Sequence, residues 1–139
     1  MAVNTQFSIA VHILAASGCC RGEGTTTGKF ALSVNTSPSF VRRVVSKLSK
    51  AGLLKTTTGK SGSCGLAKDA KMISLLDIYR AVDAPKAFSI HNYPEQKPCL
   101  VSCHIKASLE KALKKTQKAM EESLSEISLA SIVTEVNKK

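Results

Sequence analysis

Two groups of residues in this chain of 139 have types and spacing that could do chemistry. The first is sulfur and imidazole. The stretch "CLVSCH" sets Cys99, Cys103 and His104 close together, with His91 a little upstream. Two thiols and two imidazoles supply enough donors for a tetrahedral zinc site, and thiolates also hold iron–sulfur clusters. The i, i+4 spacing of the cysteines is equally where two packing thiols fall on one face of a helix. The pattern therefore leaves a metal or cluster centre, a reactive thiol pair and inert buried thiols open. The second group is cationic. "SPSFVRRVVSKLSKAGLL", running from Ser37 to Leu54, carries Arg42, Arg43, Lys47 and Lys50 and no acid. Guanidinium forks hold phosphate and read guanine edges with two hydrogen bonds at once, so these residues suit a nucleic acid.

The charge distribution supports the second group. The chain carries a net +10, of which residues 1–70 hold +7 and residues 71–139 hold +3. Between Glu23 and Asp69 there is no acidic residue, while Lys29, Arg42, Arg43, Lys47, Lys50, Lys55, Lys60 and Lys68 fall in that window. A field of one sign attracts a polyanion, and a nucleic acid is the partner expected from it, which the helix-turn-helix pattern below narrows to double-stranded DNA. The rival explanations are a solvated basic surface and a binder of nucleic acid without sequence preference, which would share the charge but discriminate little beyond the electrostatic effect.

Enzyme chemistry finds little support. No G-x-S-x-G, P-loop or H-E-x-x-H motif occurs. Cys103 and His104 are neighbours in sequence, so on a helix they point about 100° apart and cannot form the hydrogen bond a thiol nucleophile needs. The expectation is a non-enzyme with no resident cofactor, a zinc or iron–sulfur sensor being the alternative. Five cysteines, an odd number, argue for free thiols rather than a disulfide framework, with Cys19, Cys20 and Cys64 read as core or loop residues. The apolar "FSIAVHILAASGCC" is interrupted by His12 and lacks a basic flank. It fits neither a signal peptide nor a membrane span, which makes a cytoplasmic protein the expectation. His12 itself reads as a satisfied helix residue.

These residues must be positioned by something, and the patterning is mostly helical. Aromatics make up 4% of the chain and there is no Trp, so the core must come from Val, Ile, Leu and Ala. Phe7, Ala10, Val11, Ile13 and Leu14 recur at helical spacing, predicting a first helix from about Asn4 to Cys19. "KFALSV" predicts a short second helix ending near Asn35. Ser37 as N-cap, Pro38 at the first helical position and Gly52 as terminator predict a third from Pro38 to Ala51. In it Phe40 or Val41, Val44, Val45 and Leu48 face inward, and Ser39, Arg42, Arg43, Ser46, Lys47 and Lys50 face largely outward. Two short helices joined by the "NTS" turn form a helix-turn-helix pattern. "LLKTTT", the glycine turn "GKSGS" and "CGLAKD" add a β-hairpin, and together they read as a winged helix with Lys60 and Ser61 at the wing tip.

Downstream, Ser74 with Asp77 three residues on resembles a capping box for another core-facing helix. The proline-bearing Ala84–Cys99 stretch is an irregular excursion. A long helix from about Leu100 to Ile127 follows, with Ile105, Leu109, Ala112 or Leu113, Thr116, Met120, Leu124 and Ile127 on one stripe. That stripe is longer than a small domain needs, and packing against a second copy would bury it. Ser128 caps a last short helix. The fold expected is mainly α with a small β-hairpin wing: a winged helix-turn-helix domain over 1–83, a loop over 84–99, and a dimerisation helix with a C-terminal short helix over 100–139.

"FSIAVHIL", "SVNTSPSFVRRVVSKLSKAGLL", "ISLLDIYRAV" and "HNYPEQKPC", in this order and spacing, resemble the Rrf-two family of bacterial winged-helix transcriptional regulators, and within it the YwnA-like branch. The likeness covers roughly Asn4 to Val136. It implies a homodimer joined through the long helix, with Ile105, Leu109, Leu113, Met120 and Leu124 at the seam, acting on a pseudo-palindromic operator and read here as a repressor. The matched positions place Ser37, Ser39, Arg42, Arg43 and Lys47 on the recognition helix, Thr26 and Thr27 at a phosphate, and Lys60 and Ser61 on the wing. The family's wing commonly carries an arginine before its glycines, where this chain has Thr58-Gly59-Lys60. Cluster-binding members carry three cysteines before the dimer helix. This chain has Cys99 and Cys103 there, with His91 and His104 as the remaining candidates for a thiol or metal site.

Overall fold

A computed structural model describes residues 5–19, 25–57 and 64–138. The elements follow in order as α1 (Gln6–Cys19), α2 (Thr27–Val34), α3 (Pro38–Lys50), β1 (Leu54–Thr56), β2 (Cys64–Leu66), a 3-10 turn (Ala70–Met72), α4 (Leu75–Ala81), α5 (Leu100–Ser125) and α6 (Leu129–Asn137). The strands pair antiparallel, with Leu54 opposite Leu66 and Thr56 opposite Cys64. The chain is mainly helical with a two-stranded wing, as its patterning predicts. The wing tip, including Lys60 and Ser61, lies outside the described residues, as does Cys20.

Local chemistry explains the boundaries. Thr26 caps α2, its side chain accepting from the Lys29 N–H at 3.2 Å. The helix ends at Asn35, which adopts the left-handed conformation (φ 66°) and turns its N–H back to the Ala31 carbonyl at 2.8 Å. A short polar side chain tolerates that conformation where a β-branched one would not. Two residues later Ser37 caps α3 by accepting from the Phe40 N–H at 3.3 Å, with Pro38 at the first position. Gly52 leaves the helix at φ 78°. Ser74 and Asp77 form a reciprocal capping box on α4, with bonds of 3.1 and 3.0 Å.

Two compact units result: residues 1–84 with 124–139, and residues 85–123. The first is built around α1, whose Ala10, Ile13 and Leu14 are fully buried. Against it pack Phe30 of α2, Val41, Val44 and Leu48 of α3, Leu54 and Cys64 of the wing, Ile78 of α4 and Leu129 of α6. Phe7 and Tyr79 add an edge-to-face ring pair with centroids 6.1 Å apart. Between Phe40 and Val41 it is Val41 that is buried, Phe40 remaining at the margin. Sequence patterning groups α6 with the long helix, whereas it packs in the first unit. Leu129 donates its N–H to the Ile73 carbonyl at 2.7 Å and Leu75 donates to the Ile127 carbonyl at 2.8 Å, a short bridge that ties the returning chain to the start of α4.

The second unit is a non-helical segment fastened along α5. The Ala87 N–H donates to Gln117 Oε1 at 3.0 Å, Lys106 Nζ to the Tyr93 carbonyl, and the Gln96 N–H to Ser102 Oγ at 2.7 Å. Helix α5 holds no buried residue. Its half-buried positions include Ile105, Leu109, Leu113, Gln117 and Met120, while Ala112 and Thr116 are exposed. Leu124 lies against the core of the first unit.

Candidate nucleic-acid interface

Helix α3 presents two opposite faces. Val41, Val44, Val45 and Leu48 close onto the core, while Ser39, Arg42, Arg43, Ser46 and Lys50 are exposed. No acid interrupts the outward face. The Arg43 guanidinium carbon sits 5.3 Å from the centre of the Phe40 ring. That cation–π contact holds the side chain in a limited set of positions while leaving its hydrogen-bond donors free.

Beside this face, α2, α3 and β1 enclose a recess of about 400 Å³ lined by Thr27, Arg42, Val45, Ser46, Ser49, Lys50 and Thr56. Hydroxyls and two cations line it, and no carboxylate does. It opens next to the first residue of α2, where backbone N–H groups of a helix start point outward and favour an anion. The recess thus has the composition of a phosphate seat.

The expected DNA-contact residues fall in different settings. Thr27 and Arg42 come together in the recess; Arg43 and Ser39 stand on the exposed face. Ser37 and Thr26 spend their side-chain oxygens on capping. Lys47 is half-buried and donates to Gln6 Oε1 at 2.8 Å, a bond that ties α3 to α1 and occupies its ammonium. Lys50, one of the cations of the basic stretch, lines the recess together with Ser46, Ser49 and Thr56, which the expected contacts do not include. The outward spacing of Ser46 and Lys50 on α3 was the available signal.

The sulfur and imidazole group is dispersed. Cys99 is exposed, its sulfur accepting the Ser102 N–H at 3.4 Å at the start of α5, and Cys103 is half-buried. His91 accepts the Tyr93 N–H on Nδ1 at 3.4 Å, and His104 is exposed. Among the described residues no group of three or more His, Cys, Asp or Glu is placed to hold a metal ion. Cys64 is buried in the wing, and burial pushes its thiol pKa up from the ordinary value. His12 pairs Nε2 with Ser33 Oγ at 2.8 Å.

Comparison with known proteins agrees with this geometry. The Rrf2 family, described as an iron-dependent transcriptional regulator, matches residues 3–135. YwnA of Bacillus subtilis, named as an HTH-type transcriptional regulator, is 38% identical over 132 residues, covering 94% of this chain and 96% of that protein. The solved structure of CymR, the global cysteine regulator of B. subtilis, superposes with a TM-score of 0.70 at 23% identity, covering 96% of this chain and 97% of that one. IscR of T. potens gives 0.69 at 23% identity, covering 98% and 88%. No helix among the described residues is long and apolar enough to cross a membrane. The iron in the family's description finds no assembled donor set among the described residues: two thiols and two imidazoles lie near one another in sequence without converging. The family match over residues 3–135 and the 38% identity to YwnA along nearly the whole of both chains place this chain in the Rrf2 family of DNA-binding transcriptional regulators, not in an enzyme class.

Proposed function

We propose that the protein is a sequence-specific repressor that binds a pseudo-palindromic operator as a homodimer and does so without a bound metal. The observation that carries this is the outward face of α3, where Arg42 and Arg43 stand exposed on a helix closed onto the core from behind. In this reading α3 enters the major groove, with Arg43 and Ser39 at the base edges and Arg42, which also lines the recess, serving the bases from beside the phosphate. The recess with Thr27, Ser46, Ser49, Lys50 and Thr56 receives a backbone phosphate, and Thr26 holds the α2 start beside it. Lys60 and Ser61, which fall between β1 and β2 in sequence, are the candidates for a minor-groove contact, where a lysine supplies charge but not an arginine's two-pronged fork. Lys47 contributes by locking α3 to α1. Repression follows from occupying a promoter, and a DNA target implies a cytoplasmic location.

The dimer rests on α5, whose Ile105, Leu109, Leu113 and Met120 are only half covered within one chain. Leu124 already has partners in the core, so its share in the seam is small. Metal-independent binding rests on the unassembled donor set, and Cys99 and Cys103 are left as thiols that an oxidant could reach.

The test is selection of bound duplexes at a stated salt concentration, followed by footprinting. An inverted repeat is expected, and Arg42→Ala with Arg43→Ala should weaken operator binding far more than binding to random DNA. One bidentate arginine–guanine pair contributes on the order of 1–3 kcal/mol of discrimination. Equal losses on both DNAs would make the arginines phosphate contacts and overturn the assignment.

A further inference from the structure

The second unit contains a groove that the operator reading does not use. It lies between Pro85–Ile90 and the middle of α5 and encloses about 1120 Å³. That is at or above the upper end of small-molecule sites, roughly 300–1,000 Å³. One wall is pinned in place, because the Ala87 N–H donates to Gln117 Oε1 at 3.0 Å. The floor is apolar, formed by Phe88, Ile90 and Leu113, and the Phe88 ring is left 60% exposed. Around the rim stand five lysines, 86, 111, 114, 115 and 118, against Glu110 and Glu121. The groove is therefore oily at its base and net cationic at its edge.

Charge complementarity decides between occupants. A second copy docking on the same patch through a two-fold axis would bring two patches of the same net positive charge together. DNA would satisfy the lysines but leave Phe88, Ile90 and Leu113 wet. A small molecule with a negative head and an apolar body satisfies both. On the helical wheel the groove centres on Lys114 and Glu121, roughly a third of a turn from the Leu109–Met120 stripe assigned to the dimer, with Leu113 at the edge shared by the two. Both faces of α5 can thus be occupied together.

We propose that this groove binds an amphipathic organic anion, a medium-chain or aromatic carboxylate, with its apolar body on Phe88, Ile90 and Leu113 and its carboxylate between Lys114, Lys118 and Lys86. The site is independent of the DNA-contact reading, since no residue of α3 or the recess takes part, and it shares only Leu113 with the proposed dimer stripe. The experiment uses the full chain and three probes: decanoate, decanol, and decanoate carrying a terminal diazirine. Decanoate should displace anilinonaphthalene sulfonate at about tenfold lower concentration than decanol, the difference a charge-assisted contact makes. Lys114→Gln with Lys118→Gln, both at exposed positions, should remove that preference while circular dichroism and decanol binding stay as in the parent. The photolabel should map within residues 85–121. Equal displacement by decanoate and decanol, an unchanged preference in the double variant, or labelling outside 85–121 would each overturn the proposal. Labelling abolished by random duplex DNA but not by excess decanoate would assign the lysines to nucleic acid and overturn it too.

Discussion

Helices α3 and α5 solve opposite problems. The first, 13 residues long, buries Val41, Val44, Val45 and Leu48 inside its own chain and leaves only Phe40 half covered beside them. The second, twice that length at 26 residues, buries none of its side chains. A helix whose stripe is closed from within is a rigid mount for an exposed face. A helix whose stripe stays half covered is an invitation to another surface. On the proposed reading one chain separates reading DNA from assembly, each assigned to a helix of the matching kind.

The comparison breaks most visibly at the assembly helix. Leu109→Asp with Met120→Asp places two charges on the half-covered stripe, where desolvating a carboxylate in an apolar seam costs several kcal/mol. The expected outcome is a monomer in sedimentation velocity at concentrations where the parent is a dimer. If the double variant sediments as a stable dimer, α5 is not the main interface and the contrast between the helices loses its functional meaning.

Next in size is a change on the reading helix. Leu48 is fully buried, so Leu48→Ala should cost about 2–5 kcal/mol in urea unfolding. Leu113→Ala, half-buried on α5, should cost under about 1 kcal/mol when unfolding is measured on the monomeric variant, because little packing is lost there. Equal costs would show that α5 is closed from within after all. A smaller effect is expected at the cap. Ser37→Ala removes the acceptor for the Phe40 N–H and should destabilise the fold by about 1 kcal/mol, with operator affinity falling as the start of α3 frays.

These effects differ in how far sequence alone could foresee them, and the reason is range. The start of α3 is legible because Ser37, Pro38 and the Phe40 N–H interact within four residues. The inward stripe is legible because its period is local, but the choice between Phe40 and Val41 depends on what approaches from α1 and α4. Lys47 shows the limit. Its spacing on α3 suits a groove contact, yet its partner Gln6 lies 41 positions away, and only the packed structure reveals the bond. The phosphate recess needs α2, α3 and β1 at once, so its residues carry no joint signal along the chain. The half-covered stripe of α5 runs through Gln117 rather than Thr116, because the segment at Ala87 comes down onto that side of the helix.

The smallest expected effect sharpens the comparison through sulfur. Cys64 is buried in the unit that carries α3, and Cys99 is exposed in the unit that carries most of α5. Burial raises the Cys64 pKa by penalising the thiolate. At any pH near neutrality it therefore holds less of the nucleophilic form, besides being screened from reagents. The sign of the linkage follows: the native state favours the neutral thiol, so its contribution is intact below the ordinary thiol range and is lost as pH rises through the elevated native value. Iodoacetamide at pH 7.5, mapped by peptide mass, should modify Cys99 to completion while Cys64 stays largely unmodified. Raising the pH should speed Cys64 only where the wing begins to open. Operator affinity should be unchanged in Cys99→Ser with Cys103→Ser and after chelator treatment, because neither thiol belongs to α3 or the recess lining. Alkylation of Cys64 as fast as Cys99 would mean that the wing strand opens in the native state. A change in affinity on chelation would couple a metal to the reading helix and undo the separation of roles between the two regions.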